Sequence, residues 1–167
     1  MSNPKREGWI LDPPRADGRP GEFFTWAEMT RTGTGLKNEP TTLHRNNLRL
    51  VCKYLLDPLR RRLGPIRVTS GFRSIAVNQK VGGARNSFHM KGLAADIKSY
   101  RGDFDTWAIA RAVDELSLPF DQCIVYEGGW VHLGLQTGRP RNQWLYKPVE
   151  GGYEKLELER IYEIDAF

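Results

Sequence analysis

The chain has 167 residues, 40% of them hydrophobic and 27% charged, which suits one globular domain with a core of its own. No stretch approaches the roughly 18 apolar residues of a membrane-spanning helix, so we expect no membrane span. The formal net charge of +5 favours anionic partners. The cations are spread along the chain rather than gathered in a stripe, and we therefore expect no nucleic acid partner.

The two ends of the chain differ in composition from the middle. Residues 1–21 hold four prolines and three glycines, which predicts an extended arm. Residues 148–167 carry six acidic and two basic side chains and mix strand-like with helix-like patterns, so we describe them only as an acidic tail. The folded domain is expected over residues 22–147. The first residues lack the apolar segment of a signal peptide, and we expect synthesis in the cytoplasm.

The first predicted elements are helices. Thr25 followed by Glu28 is typical of a capping box that begins a short helix. A longer helix is predicted from the apolar spacing in TTLHRNNLRLVCKYLLDPLRRRLG, residues 41–64. Pro58 lies inside this pattern and should kink or divide the helix, and Gly64 with Pro65 should end it.

The rest of the chain alternates between short strands and helices. A strand and turn are predicted in IRVTSGFRS, a short helix and glycine-rich loop in IAVNQKVGGA, and a second strand in LAADIKSY. An amphipathic helix capped by Asp103 or Asp105 follows, and then a hairpin turning at Gly128-Gly129. The regular rhythm of a parallel α/β sheet is missing. We therefore predict an α+β fold with a small, mainly antiparallel sheet flanked by helices.

The two cysteines, Cys52 and Cys123, lie far apart and in apolar surroundings. Neither belongs to a Cys-x-x-Cys pair, which argues against a thiolate zinc site. Their pairing is left open, and the apolar surroundings together with the lack of a secretion signal favour two buried free thiols.

His89 and Asp96, seven residues apart in SFHMKGLAADI, are candidate ligands of one metal ion. On a helix their side chains would lie about 10 Å apart along the axis, and on one strand about 23 Å apart. Both could reach one ion, at about 2.0–2.2 Å each, only if the chain turns between them. Gly92 is able to make that turn, and a following strand would carry Asp96.

The third candidate ligand is one of the other two histidines. His44 lies among polar residues of a predicted helix and is interpreted as a surface residue. His132 lies inside an apolar strand, where an imidazole without a partner would be costly. Ligation by His89, Asp96 and His132 would leave a fourth position for water, which is typical of a catalytic zinc site.

The predicted hairpin indicates a candidate for the general base. If Gly128-Gly129 is a two-residue turn, Glu127 pairs with Trp130, and Val125 pairs with His132. Glu127 and His132 would then be diagonal neighbours on one face, about 7–8 Å apart at the backbone, within reach of a glutamate. Glu127 could almost equally be an exposed carboxylate at a turn with no catalytic role. Asp121 is the second candidate for the general base.

Arg73 follows a predicted strand in TSGFRS. An arginine in this turn could bind a substrate carboxylate through two parallel hydrogen bonds. It could equally hold the loop against an aspartate or a carbonyl group.

Three segments together resemble the zinc D-Ala-D-Ala carboxypeptidase family of metallopeptidases, which includes phage endolysins. They are VTSGFRS, VGGARNSFHMKGLAADI with its SxHxxGxAxD signature, and WVHLGL, and their order and spacing fit over roughly residues 22–136. The resemblance implies the Hedgehog/DD-peptidase fold and one Zn²⁺ bound by His89, Asp96 and His132. It also implies that Arg73 and Ser87 contact substrate.

The implied activity is hydrolysis of peptide bonds in peptidoglycan stem peptides, by a phage-type endolysin or a virion-associated wall hydrolase. Many members of the family carry the base three residues before the last histidine, where this chain has Gly129, so Glu127 is expected to replace it. We expect action at the cell wall after release or as part of a virion, with the arm or the tail contacting virion proteins. The alternative is a non-catalytic, zinc-bearing structural or wall-binding module.

Overall fold

The computed structural model describes residues 12–163, so residues 1–11 of the predicted arm and 164–167 of the predicted tail lie outside the described residues. The described α-helices are α1 (Trp26–Thr30), α2 (Thr42–Val51), α3 (Asp57–Leu63), α4 (Ile75–Lys80), α5 (Thr106–Glu115) and α6 (Leu158–Glu163). The described strands are β1 (Ile66–Ser70), β2 (Ala94–Ser99), β3 (Gln122–Tyr126), β4 (Trp130–Gly134), β5 (Gln143–Lys147) and β6 (Glu154–Lys155). None of the described helices combines the length and apolar character that crossing a membrane requires.

The predicted helix boundaries are explained by capping and by proline. The capping box at α1 is confirmed, because Thr25 Oγ1 accepts from Glu28 N and Glu28 Oε2 accepts from Thr25 N. The predicted long helix is divided into α2 and α3 by one π-helical turn, Cys52–Leu56. Pro58 lies in the first turn of α3, where its missing N–H costs least, and the π-helical turn precedes it.

All the described strands form one sheet in the order β1-β2-β4-β3-β5-β6. Neighbouring strands run antiparallel except β3 and β5, which are parallel. The prediction of an α+β fold with a mainly antiparallel sheet flanked by helices is therefore confirmed. Residues 148–163 contribute β6 and α6, and Ile161 of α6 is fully buried.

The sheet has one apolar face and one polar face. Side chains that alternate along β2, β3 and β4 point into the core beneath α5 and are fully buried: Ala95, Ile97, Cys123, Val125, Val131 and Leu133. The residues between them point to the other face, among them Asp96 and His132. The apolar face packs into the core against α5, and the opposite face is left to form a site.

The structure also shows the cap of α5 and the state of the two cysteines. Helix α5 is capped by Asp105, whose carboxylate accepts from Ala108 N, so Asp105 and not Asp103 is the cap. Cys52 and Cys123 are buried free thiols, as the apolar surroundings favoured. Burial raises the pKa of both thiols.

Candidate metal centre

The pairing of β2 with β4 places two of the predicted ligands side by side. Asp96 lies directly opposite His132 in the antiparallel register. Directly opposed residues share a face, with their Cβ atoms about 4.5–5.5 Å apart. Asp96 Oδ1 lies 2.9 Å from His132 Nδ1.

A short turn brings in His89. Residues Phe88–Lys91 form a 3₁₀ turn that begins where Ser87 Oγ accepts from His89 N and ends at Gly92. Gly92 has a φ of 70°, and a Cβ there would lie 2.6 Å from the carbonyl oxygen of His44. Glycine is therefore required both by backbone conformation and by close packing against α2, and the predicted role of Gly92 as the turning residue is confirmed.

The three donor atoms lie at spacings that fit one metal ion. His89 Nε2 is 3.2 Å from Asp96 Oδ1 and 3.2 Å from His132 Nδ1. Two ligands at about 2.0–2.2 Å from a tetrahedral zinc ion are themselves separated by about 3.4 Å. Among the described residues, this is the group of histidine, cysteine and acidic side chains whose donor atoms converge closely enough to hold a metal.

The hydrogen bonding of His89 prepares it for ligation. Its Nδ1 lies 2.7 Å from the carbonyl oxygen of Gly71, which can only accept, so Nδ1 carries the proton. The lone pair of Nε2 is then directed at Asp96 and His132. His89 is 2% exposed, and this burial lowers its pKa despite the nearby carboxylate of Asp96, so the ring is neutral at neutral pH. A neutral imidazole is the form that binds zinc.

Asp96 is held as a carboxylate. Burial alone would raise its pKa, but the electrostatic interactions with His89 and His132 outweigh burial and keep the pKa well below its usual range. The other carboxylate oxygen, Oδ2, accepts from Arg73 Nη2 at 2.8 Å. The donor set is thus one anion and two imidazoles, a composition that zinc prefers.

Arg73 is part of the support of this cluster. Besides Asp96, it contacts Ser70 Oγ through Nε at 2.7 Å, and its backbone N–H donates to the carbonyl of His89. Its side chain is 17% exposed and lines the cleft above the cluster. The structure therefore gives Arg73 an orienting contact to Asp96, a candidate metal ligand, while its predicted contact with a substrate carboxylate stays a prediction. Ser87 also lines the cleft, and its predicted substrate contact stays a prediction too.

The hairpin differs from its predicted register. Tyr126 pairs with Trp130, and Ile124 pairs with His132, so the loop holds three residues, Glu127–Gly129. The predicted pairs of Glu127 with Trp130 and of Val125 with His132 are wrong. A three-residue loop is formed because Gly129 adopts a φ of 95°, and the extra residue moves Glu127 out of the paired strand.

Neither candidate base points into the cleft. Glu127 Oε2 accepts from Val149 N at 2.7 Å, and Glu127 is absent from the cleft lining in the described part of the chain. Asp121 is fully buried, and both of its carboxylate oxygens accept from Arg141. Glu127 is therefore not a diagonal neighbour of His132, and its role as base stays a prediction without a supporting contact.

The cleft has a volume of about 640 Å³ and contains residues that pattern reasoning missed. Tyr126 and Trp130 stack with ring centroids 4.4 Å apart, and the Tyr126 hydroxyl lies 3.2 Å from that of Tyr153. Burial, followed by the hydrogen bond with Tyr153, raises the pKa of Tyr126, so its phenol is protonated at neutral pH. Trp130 shares a face with His132 because the two lie two residues apart on β4, and this could be read from the sequence. Tyr126 shares that face because it pairs with Trp130, and this can be read only once the loop length is known.

Comparison with known proteins agrees with this geometry. A sequence model of the family described as Peptidase M15 matches residues 22–134, more than half of the chain. The chain is also similar to a zinc D-Ala-D-Ala carboxypeptidase of Streptomyces albus G, with 43% identity over 79 residues. That match covers 44% of this chain and 30% of the Streptomyces protein. The chain therefore spans less than a third of that relative's length.

Proposed function

The chain belongs to the peptidase M15 family, and we propose that it is a zinc-dependent peptidase that hydrolyses peptide bonds of bacterial peptidoglycan. The observation that carries this proposal is the convergence of His89, Asp96 and His132 on one point at the floor of an open cleft. The similarity to a zinc D-Ala-D-Ala carboxypeptidase supports zinc as the metal and a peptide as the substrate.

In this proposal the residues of the cleft have distinct tasks. His89 Nε2, His132 Nδ1 and Asp96 Oδ1 would hold a zinc ion, and when bound this ion would supply a Lewis acid for water and for the carbonyl group of the scissile bond. Arg73 keeps Asp96 turned so that Oδ1 is directed at the histidines. The neutral phenol of Tyr126 is a hydrogen-bond donor on the same face of the sheet as His132. Glu127 is the base that the sequence predicts, and it must release Val149 N to act.

Hydrolysis by metal-loaded protein tests the proposal. Purified peptidoglycan and a peptide ending in D-Ala-D-Ala are incubated with the zinc-loaded protein, with and without a chelator, and the products are identified by mass spectrometry. We expect hydrolysis that the chelator and His132→Ala both abolish, whereas His44→Gln, a change of the histidine outside the cluster, leaves it intact. A zinc-loaded protein that cleaves neither substrate would refute the proposed enzyme.

One observation favours a second candidate, a zinc-bearing module that binds the wall or a virion component without cleaving it. Within residues 12–163, Asp96 is the one acidic residue that lines the cleft, and it belongs to the candidate metal ligands, so no second carboxylate is placed there to accept a proton from water. Glu127→Gln separates the two candidates. For an enzyme that uses Glu127, this change abolishes hydrolysis and preserves zinc and wall binding. For a binding module, the unmodified protein already binds zinc and the wall but cleaves nothing.

We further propose that the protein acts on the wall as a phage-type endolysin or as a virion-associated hydrolase. The resemblance of its sequence motifs to a family that includes phage endolysins supports this assignment. Fractionation of a lysate made by a phage that encodes the chain tests it. Protein that sediments with particles indicates a virion component, and free protein indicates an endolysin. Absence from both fractions would contradict the proposal.

A further inference from the structure

The two ends of the cleft, on either side of the metal cluster, are lined by different kinds of side chain. Along β4, Trp130, His132 and Gly134 share one face, with about 7 Å between successive members. Trp130 belongs to the aromatic end of the cleft. At the Gly134 end, the cleft is lined by Phe88 and Arg141, and the Arg141 guanidinium lies over the Phe88 ring, 6.0 Å from its centroid. One end is therefore aromatic, and the other carries a cation.

The guanidinium of Arg141 is fixed in place by a buried carboxylate. Asp121 is fully buried; its Oδ1 accepts from Arg141 N at 2.8 Å, and its Oδ2 accepts from Nε at 3.0 Å and Nη2 at 2.6 Å. Asp121 N donates to the carbonyl of Gly134, which ties this ion pair to the end of β4. Because the pair orders the arginine in advance, a ligand of Arg141 would not have to immobilise a long side chain.

Arg141 retains an edge for a ligand. Of the five guanidinium N–H groups, Asp121 uses one on Nε and one on Nη2, which leaves both on Nη1 and one on Nη2. In residues 12–163, Nη1 has no hydrogen-bond acceptor, and the side chain is 53% exposed at the cleft. The Nη1–Nη2 edge matches the two oxygens of a carboxylate. Arg73, in contrast, is bound to Asp96 and Ser70 and is 17% exposed.

We propose that Arg141 is a specificity residue that binds a carboxylate of the peptide at the Gly134 end of the cleft. Peptides with a free carboxylate at this position are bound in preference to their amides. The inference rests on the proposed function, because it takes the ligand of the cleft to be a peptide. The carboxylate can come from a peptide C-terminus or from an acidic side chain, and the two sources are separated by the choice of peptides.

Equilibrium binding to the metal-free protein tests this proposal without relying on catalysis. Two pairs of short peptides are titrated by calorimetry: one pair ends in D-Ala-D-Ala as the free acid or the amide, and the other carries an internal glutamate or glutamine. We expect the acid of one pair to bind about tenfold more tightly than its neutral partner, which is about 1.4 kcal/mol. Arg141→Gln should reduce this ratio to about one. Arg139→Gln, the same change at an exposed arginine outside the cleft lining, should preserve it.

A second variant covers the case in which Arg141→Gln fails to fold, since it leaves the buried Asp121 charge unpaired. Combining Arg141→Gln with Asp121→Asn removes both charges, and this folded variant should also bind acid and amide equally. The proposal is overturned if the unmodified protein does not discriminate within either pair, or if a folded Arg141 variant keeps the original ratio.

The failure of this inference is distinguishable from the failure of the proposed function. If the zinc-loaded protein cleaves no peptide while the metal-free protein shows an Arg141-dependent preference, the enzyme is refuted and the carboxylate site stands. If the protein cleaves peptides but the preference is unchanged in the Arg141 variants, the enzyme stands and the carboxylate site is refuted.

Discussion

Replacing Gly92 by alanine should damage both the fold and the metal centre, and its cost can be worked out from two separate contributions. The left-handed φ of 70° costs an alanine about 1–2 kcal/mol. The new Cβ would also lie 2.6 Å from the backbone oxygen of His44, and forced shifts in packed regions cost about 1–3 kcal/mol. We therefore expect Gly92→Ala to lower the free energy of unfolding by about 2–5 kcal/mol.

Gly102→Ala is the matched control for this change. Gly102 has a φ of 80°, but a Cβ there would meet no atom within 4 Å. The backbone cost and the smaller entropy of the unfolded chain are common to both variants, so their difference isolates the clash with His44. Urea unfolding of the two metal-free variants should show Gly92→Ala to be less stable by about 1–3 kcal/mol.

The same pair of variants should differ in zinc binding. Gly92 ends the turn that carries His89, so a shift there moves one of the three donors, whereas Gly102 lies outside this turn. Competition with a chromogenic chelator should show weaker zinc binding for Gly92→Ala than for Gly102→Ala. Equal losses of stability and equal zinc affinities in the two variants would refute the claim that close packing at Gly92 positions His89.

Two further predictions concern the support of the site and the core. Arg73→Gln should weaken zinc binding about 10–100-fold, because Asp96 loses the contact that orients its carboxylate. Arg67→Gln, on the exposed side of β1, should leave zinc binding unchanged. Tighter zinc binding by Arg73→Gln would contradict the orienting role and show that repulsion between Arg73 and the cation dominates. Cys52 and Cys123 should resist a thiol reagent in the native protein and react fully after unfolding, since both thiols are fully buried and their pKa values are raised. Rapid native labelling would contradict this burial.

The parts of the site that sequence could predict are local in the chain. The turn between His89 and Asp96 spans eight residues and depends on one short helical segment and Gly92. The spacing of the two side chains was therefore enough to exclude one continuous helix and one continuous strand. The apolar alternation around His132 marked it as a buried strand residue with a need for partners. The helix caps were predictable for the same reason, because capping depends on residues three apart.

The parts that sequence missed depend on contacts between distant segments. The hairpin could turn through two residues or three, and the third residue changed which side chains share a face with His132. The parallel pairing of β5 with β3 brings residues about twenty positions apart together, and the Asp121–Arg141 pair is formed at that junction. Pattern reasoning treats Asp121 as a free acid, whereas the structure buries it against an arginine.

The most direct test of the account is the zinc content of the purified protein after exposure to excess zinc and extensive dialysis. Because three donors about 3 Å apart from one another can hold a single ion, we predict one zinc per chain in the unmodified protein and in His44→Gln. Asp96→Ala and His132→Ala should lose the ion while remaining folded. Absence of zinc from the unmodified protein, or equal zinc content in all four proteins, would contradict the metal centre on which the proposed function depends.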